Sequence, residues 1–121
     1  MPEPSRDSGQ AAVELALAMP VVVVLLLAVL QVAVAVRDEL AVELAAREGA
    51  RAAVVTTDAA GAAEAAARQA VDLPIEVSTA QHGDHVTVTV TYVDHTDLAI
   101  IGALIGPIEH TASVTMLAEP P

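Results

Sequence analysis

Residues 15–36 form one uninterrupted apolar run, from Leu15-Ala16-Leu17-Ala18-Met19-Pro20 through Val21 and Leu30 to Val36, and no formal charge interrupts it between Glu14 and Arg37. At a helical rise of about 1.5 Å per residue the run reaches about 33 Å, enough for a hydrocarbon core of about 30 Å. The pattern therefore predicts a transmembrane helix. Pro20 lies inside it and removes one backbone hydrogen bond, which predicts a kink about one turn in from the membrane edge. Beyond Val36 the spacing stays helical to about Val55. Glu43 with Arg47 at i,i+4 and Glu48 with Arg51 at i,i+3 lie opposite an arc of Ala41, Val42, Ala45, Gly49, Ala52 and Ala53. That arc is small enough for another backbone to approach closely, either a neighbouring helix or the chain's own sheet.

Thr56 to Gly61 breaks the helical pattern, and an Ala-rich helix is predicted from about Ala59 to Val71, with Asp58 as its N-cap and Glu64 and Arg68 at i,i+4. After Pro74 the period changes to two. Val86, Val88, Val90 and Tyr92 alternate with Thr87, Thr89 and Thr91, the signature of a strand with one buried face. Residues 75–81 are its predicted partner across a tight turn at Gly83-Asp84. Residues 98–105 are apolar and glycine-interrupted, too short to span a bilayer, and read as a buried loop or short helix. A third strand is predicted over 108–118, with Ile108, Ala112, Val114 and Met116 sharing a face and His110 pointing inward. The fold class that follows is α+β: a long N-terminal transmembrane helix continuing into a small exterior domain with a second helix and a three-stranded antiparallel sheet. The predicted division is a polar leader at 1–9 ending in a helix-breaking Ser8-Gly9, a membrane helix at 10–36, and the exterior domain at 37–121.

Composition narrows the function. The 121 residues contain one aromatic, Tyr92, so the core must be built from Ala, Val, Leu and Ile. A net charge of −11 with five arginines and no lysine argues against nucleic acid. No cysteine is present, and no serine nucleophile motif or phosphate-binding glycine loop can be found. Neither a catalytic role, a cofactor nor a small-molecule substrate is expected. His82 and His85 flank the turn, but as side chains starting on diverging strands with no third ligand at a recognised spacing they give no metal site.

Glu14 carries the sharper signal. A carboxylate is favoured in the first turns of a helix by about 0.3–1 kcal/mol, and Asp7 with Gln10 could form a capping box. Placing a charged group toward the bilayer centre costs roughly 2.5 kcal/mol or more, however, so an acid at the mouth of the span calls for a cation. Arg47 and Arg51 could meet an anionic lipid or an acidic partner, though a solvated charged face is the commoner reading of such a stretch.

The stretches Gly9-Gln10-Ala11-Ala12-Val13-Glu14-Leu15-Ala16-Leu17-Ala18-Met19-Pro20 and Ala46-Arg47-Glu48-Gly49-Ala50-Arg51-Ala52 resemble the TadE-like minor pseudopilins of tight-adherence (Tad/Flp) pilus systems, a branch of the type IV pilin-like proteins. The strand ending in Tyr92, the Gly/Pro loop and the Thr/Ser/Met strand extend the likeness toward the carboxyl terminus. The resemblance implies cleavage by a membrane-embedded prepilin peptidase between Gly9 and Gln10, making Glu14 the fifth mature residue and an acid needed for processing or assembly. It implies the peptidase, other pilin or pseudopilin subunits and the Tad secretion machinery as partners, beside the bilayer that the apolar run implies; Arg47, Gly49 and Arg51 are candidate partner contacts on the charge and small-residue pattern of the helix itself. Leu15, where major Tad pilins usually carry an aromatic, and Gln10 in place of Phe depart from the family pattern and speak against a major pilin, while leaving a minor one open. The family topology puts the carboxyl-terminal domain outside the cytoplasm, whereas Arg37, Arg47 and Arg51 against Arg6 and the amino terminus favour the reverse by the positive-inside rule. The family topology is preferred because those arginines are interleaved with acids. The alternative is a signal-anchored envelope accessory or binding protein that enters no fibre.

Overall fold

The computed structural model describes residues 6–94, 106 and 108–118. Helix α1 runs Arg6–Ala53, α2 runs Ala59–Ala70, and strands β1 (Glu76–His82), β2 (His85–Asp94) and β3 (Ile108–Leu117) form one antiparallel sheet in the order β1-β2-β3. These are the predicted elements. The apolar stretch 98–105, expected to be a loop or short helix, lies outside the described residues. The chain divides into two compact units, Met1–Ala35 and Val36–Pro121, with the boundary inside α1.

In the first unit, α1 does not begin after Ser8-Gly9 as expected; it is already formed at Arg6, the first described residue, and passes through both. A single glycine costs a helix only about 1 kcal/mol, which the flanking helix formers can absorb. Pro20 likewise lies inside α1. The β-branched Val21 to Val24 favour strands in water, but in hydrocarbon a lone segment can pair its backbone groups only within a helix. The segment's sequence and its helical form are consistent with that solvent.

The second unit is built on small side chains. From α1 it buries Val42, Ala45, Ala46, Ala50 and Ala53, from α2 Ala59, Ala63 and Ala67, and from the sheet Val86, Val88 and Val90, with Ile75 just ahead of β1. Among the described residues, Val42, Val86, Val88 and Val90 are the largest side chains fully enclosed. The buried arc is centred differently from the predicted one, since it takes in Ala46 and Ala50 and leaves Ala41 and Ala52 half-exposed. At Gly49 an added Cβ would lie 3.1 Å from the Ala63 carbonyl oxygen and 3.1 Å from Val88 Cγ1. Gly49 therefore lets α1 approach α2 and β2 together.

Local bonds set the ends of α2. The Asp58 carboxylate accepts from the Gly61 amide at 3.2 Å, as expected of an N-cap. Arg68 donates to Glu64 at 3.0 Å and to the Ile75 carbonyl at 2.9 Å, tying the last turn to the chain entering β1. In the sheet, β1 meets β2 in a register from Glu76 opposite Thr91 to His82 opposite His85. The turn is Gly83-Asp84, and only Gly83 has positive φ, at 62°, as a type II′ hairpin requires of its first central residue. The idea that His82 and His85 begin on diverging strands is therefore wrong, because the register sets them directly across from each other. Along the opposite seam, the hydroxyls of Thr87 and Thr115 and of Thr89 and Ser113 pair at 2.8 Å on the outer face.

The contacts at Gly49 predict that Gly49→Val, which forces a branched side chain against a backbone carbonyl, destabilises the second unit by about 1–3 kcal/mol. Thermal unfolding of the full chain in detergent, followed by circular dichroism, measures it. An unchanged midpoint would show that α1 does not approach this closely.

Candidate functional site: the apolar helix and the carboxylate-histidine cluster

In the first unit, Gly9, Gln10 and Glu14 are all exposed on α1, and no atom lies within 4 Å of where a Cβ on Gly9 would sit. The apolar residues that follow are exposed too, among them Val13, Leu15, Leu17, Leu25 and Leu30. A water-soluble domain does not present such a continuous surface unpartnered. Among the described residues α1 is the one helix long and apolar enough to cross a membrane, and none of its most apolar 18-residue window is buried. Glu14 is the one formal charge between Ser8 and Val36. Charge, glycine and apolar surface thus stand on consecutive turns of the same helix, open to whatever surrounds them.

In the second unit, Arg47 and Arg51 project to the exposed side. Arg47 lies 3.9 Å from Glu43 and Arg51 3.7 Å from Glu48, and Arg47 is 66% exposed. Pairs this open contribute little to stability. Gly49, grouped with them by sequence, has an internal use in the approach to Ala63 and Val88, whereas the two arginines remain available at the surface.

A further cluster joins α1 to the sheet. His110 of β3 is 5% exposed, sits opposite Tyr92 of β2, and stacks on it with ring centroids 6.2 Å apart and an interplanar angle of 11°. Its Nδ1 lies 2.8 Å from Glu39 Oε2. A carboxylate can only accept, so Nδ1 donates, and in the neutral ring Nε2 is then a bare acceptor. Nε2 is buried and has no partner among the described residues. Asp38, next to Glu39, is also buried at 5% exposure. The inward position of His110 was legible from the strand alternation. Glu39 and Asp38 were missed, because in sequence they look like ordinary polar residues following a span.

The arrangement fixes a helix to an edge strand and offers no chemistry beyond that. No cluster of three or more His, Cys, Asp or Glu among the described residues is arranged to hold a metal ion. An open groove lies between Glu43, Arg47 and residues 111–114 of β3.

Comparison with known proteins bears on the same helix. The family model of the TadE-like proteins matches residues 9–51, beginning at Gly9 and ending at Arg51. No curated protein and no solved structure matches the chain.

The Glu39 bond predicts that Glu39→Ala, which leaves both nitrogens of the buried His110 unpaired, costs about 1–3 kcal/mol. Glu43→Ala, one turn on and exposed, should cost well under 1 kcal/mol. Chemical denaturation of both variants, compared with the parent, checks the pair, and equal losses would remove the cluster from the account.

Over residues 9–51, its amino-terminal apolar helix, the chain is similar to the TadE-like proteins, the family whose model matches there.

Proposed function

We propose that the chain is a minor pseudopilin, cut after Gly9 by a prepilin peptidase, anchored in the membrane by residues 15–36 and taking part in assembly of a Tad-type pilus. The observation that carries this reading is a single exposed carboxylate, Glu14, five residues after Gly9 at the head of an otherwise uncharged helix, where the family match also begins. Cleavage there makes Gln10 the new amino terminus, and its ammonium, or that of a neighbouring subunit, is the nearest cation to set against the acid at the edge of lipid. The 37–121 domain then lies on the extracytoplasmic side, and its partners are other pilin-like subunits and the secretion machinery rather than a substrate.

One observation favours a second reading. Helix α1 runs unbroken through Ser8 and Gly9, so the proposed scissile bond lies in regular helix. A signal anchor left uncut would look the same, and the protein would then be an envelope accessory factor outside any fibre.

Amino-terminal sequencing of the protein from its native membrane separates the two. The pseudopilin reading predicts Gln10 as first residue and a loss of pilus assembly, at unchanged protein level, in Glu14→Ala. Met1 or Pro2 at the terminus, or normal assembly with Glu14→Ala, contradicts it. A carboxyl-terminal tag that resists protease added to the outside of cells whose outer layers have been opened would contradict the orientation.

A further inference from the structure

The β1–β2 turn brings together two histidines that the function above does not use. His82 closes β1, His85 opens β2, and the register places them directly opposite one another across Gly83-Asp84. Directly opposed residues project from the same face of a sheet, with Cβ atoms about 4.5–5.5 Å apart. Two imidazoles rooted at that separation can converge on one ion at about 2.0–2.1 Å per nitrogen. Both side chains are exposed. Their neighbours on that face are Ala80 and Thr87 along the strands and Leu117 of β3 opposite His85, none of which carries a charge.

The adjoining carboxylate points to a ligand. Asp84 Oδ1 lies 2.7 Å from His85 Nδ1. Since the carboxylate accepts, the proton of a neutral His85 is held on Nδ1 and the Nε2 lone pair is left free. A carboxylate on the far nitrogen is the usual support of a metal-bound histidine, fixing its tautomer and raising its basicity. Asp84 is itself held in place, because its own carbonyl accepts from the Ala118 amide at 2.6 Å, joining the turn to the end of β3.

We propose that His82 and His85, supported by Asp84, form a two-imidazole surface site for a borderline divalent transition ion such as Zn²⁺, with water completing the coordination. Imidazole donors select Zn²⁺, Ni²⁺ and Cu²⁺ over the oxygen-seeking Mg²⁺ and Ca²⁺. A site with two protein ligands is exchangeable and leaves open positions, unlike a closed structural zinc site.

The test is titration of the full chain in detergent micelles with ZnCl₂, following the histidine ring resonances by NMR. The site predicts one-to-one saturation in which His82 and His85 resonances move together, and no response to MgCl₂. Removing either ligand leaves a single imidazole, so His82→Asn and His85→Asn should each weaken binding by about tenfold or more. Asp84→Asn should weaken it by about tenfold, at the low end of losses for a supporting carboxylate. His95→Asn serves as the control and should leave the affinity unchanged. Circular dichroism and unshifted resonances of β3 verify that each variant keeps the sheet. The proposal is overturned if His82 and His85 respond independently, if either substitution leaves the affinity unchanged in a folded chain, or if His95→Asn lowers it as much.

Discussion

The close approach of α1 to α2 and β2 is the constraint on which the second unit depends. With one aromatic residue in the chain and Val42, Val86, Val88 and Val90 as its largest enclosed side chains, the domain cannot bury much apolar area per residue. It compensates by bringing backbones together. Alanines on both helices and Gly49 at the crossing let α1 come so near the Ala63 carbonyl and the Val88 methyl that a Cβ on Gly49 would lie 3.1 Å from each. Dispersion contacts fall off within an ångström, so a core of this kind relies on fit rather than bulk. Around it, the Arg68 bond to Ile75, the Asp58 cap and the His110 bond to Glu39 fix the ends of elements whose middles are nearly featureless.

The same helix meets a second demand. From Leu15 to Val36 its side chains are mostly exposed and, Gln31 apart, apolar or small on every face, whereas from Val42 onward one face is buried and the other carries Glu43, Arg47, Glu48 and Arg51. A hydrocarbon environment and a protein core impose different patterns on the helix, and the change falls near the boundary between the two compact units. Asp38 and Glu39 lie just past that change. They are the first acids after the apolar run, and both are used by the second unit, one buried and one bonded to His110.

How much of this was legible follows from which residues discriminate between environments. The long apolar helix, the second helix, all three strands and the hairpin turn could be read directly, since each is marked by an apolar run free of charge, a helical spacing, a change of period from 3.6 to 2, or a glycine at a turn. The buried arc of α1 was misplaced by part of a turn because nearly every candidate position is alanine, and a periodicity of identical residues does not define a face. The Glu39–His110 bond joins residues 71 apart, and the opposition of His82 and His85 depends on a register that composition does not fix. Gly9, Gln10 and Glu14 were legible in a different way: their significance comes from resemblance to a family whose model matches this helix, while the fold shows only that they are exposed.

One helix, α1, carries the apolar candidate span and continues into the small-residue core. The chain has no native cysteine, so single cysteines introduced from Val13 to Ala53 can each carry a spin label in the full chain reconstituted in bilayers. Collision with oxygen and with a water-soluble nickel chelate then reports the surroundings of every position. The account predicts uniformly high oxygen and low nickel accessibility over 15–36, followed by a 3.6-residue oscillation in which 42, 45, 46, 50 and 53 are shielded from both. Water-accessible periodicity within 15–36, or no shielded face beyond Val42, would contradict it.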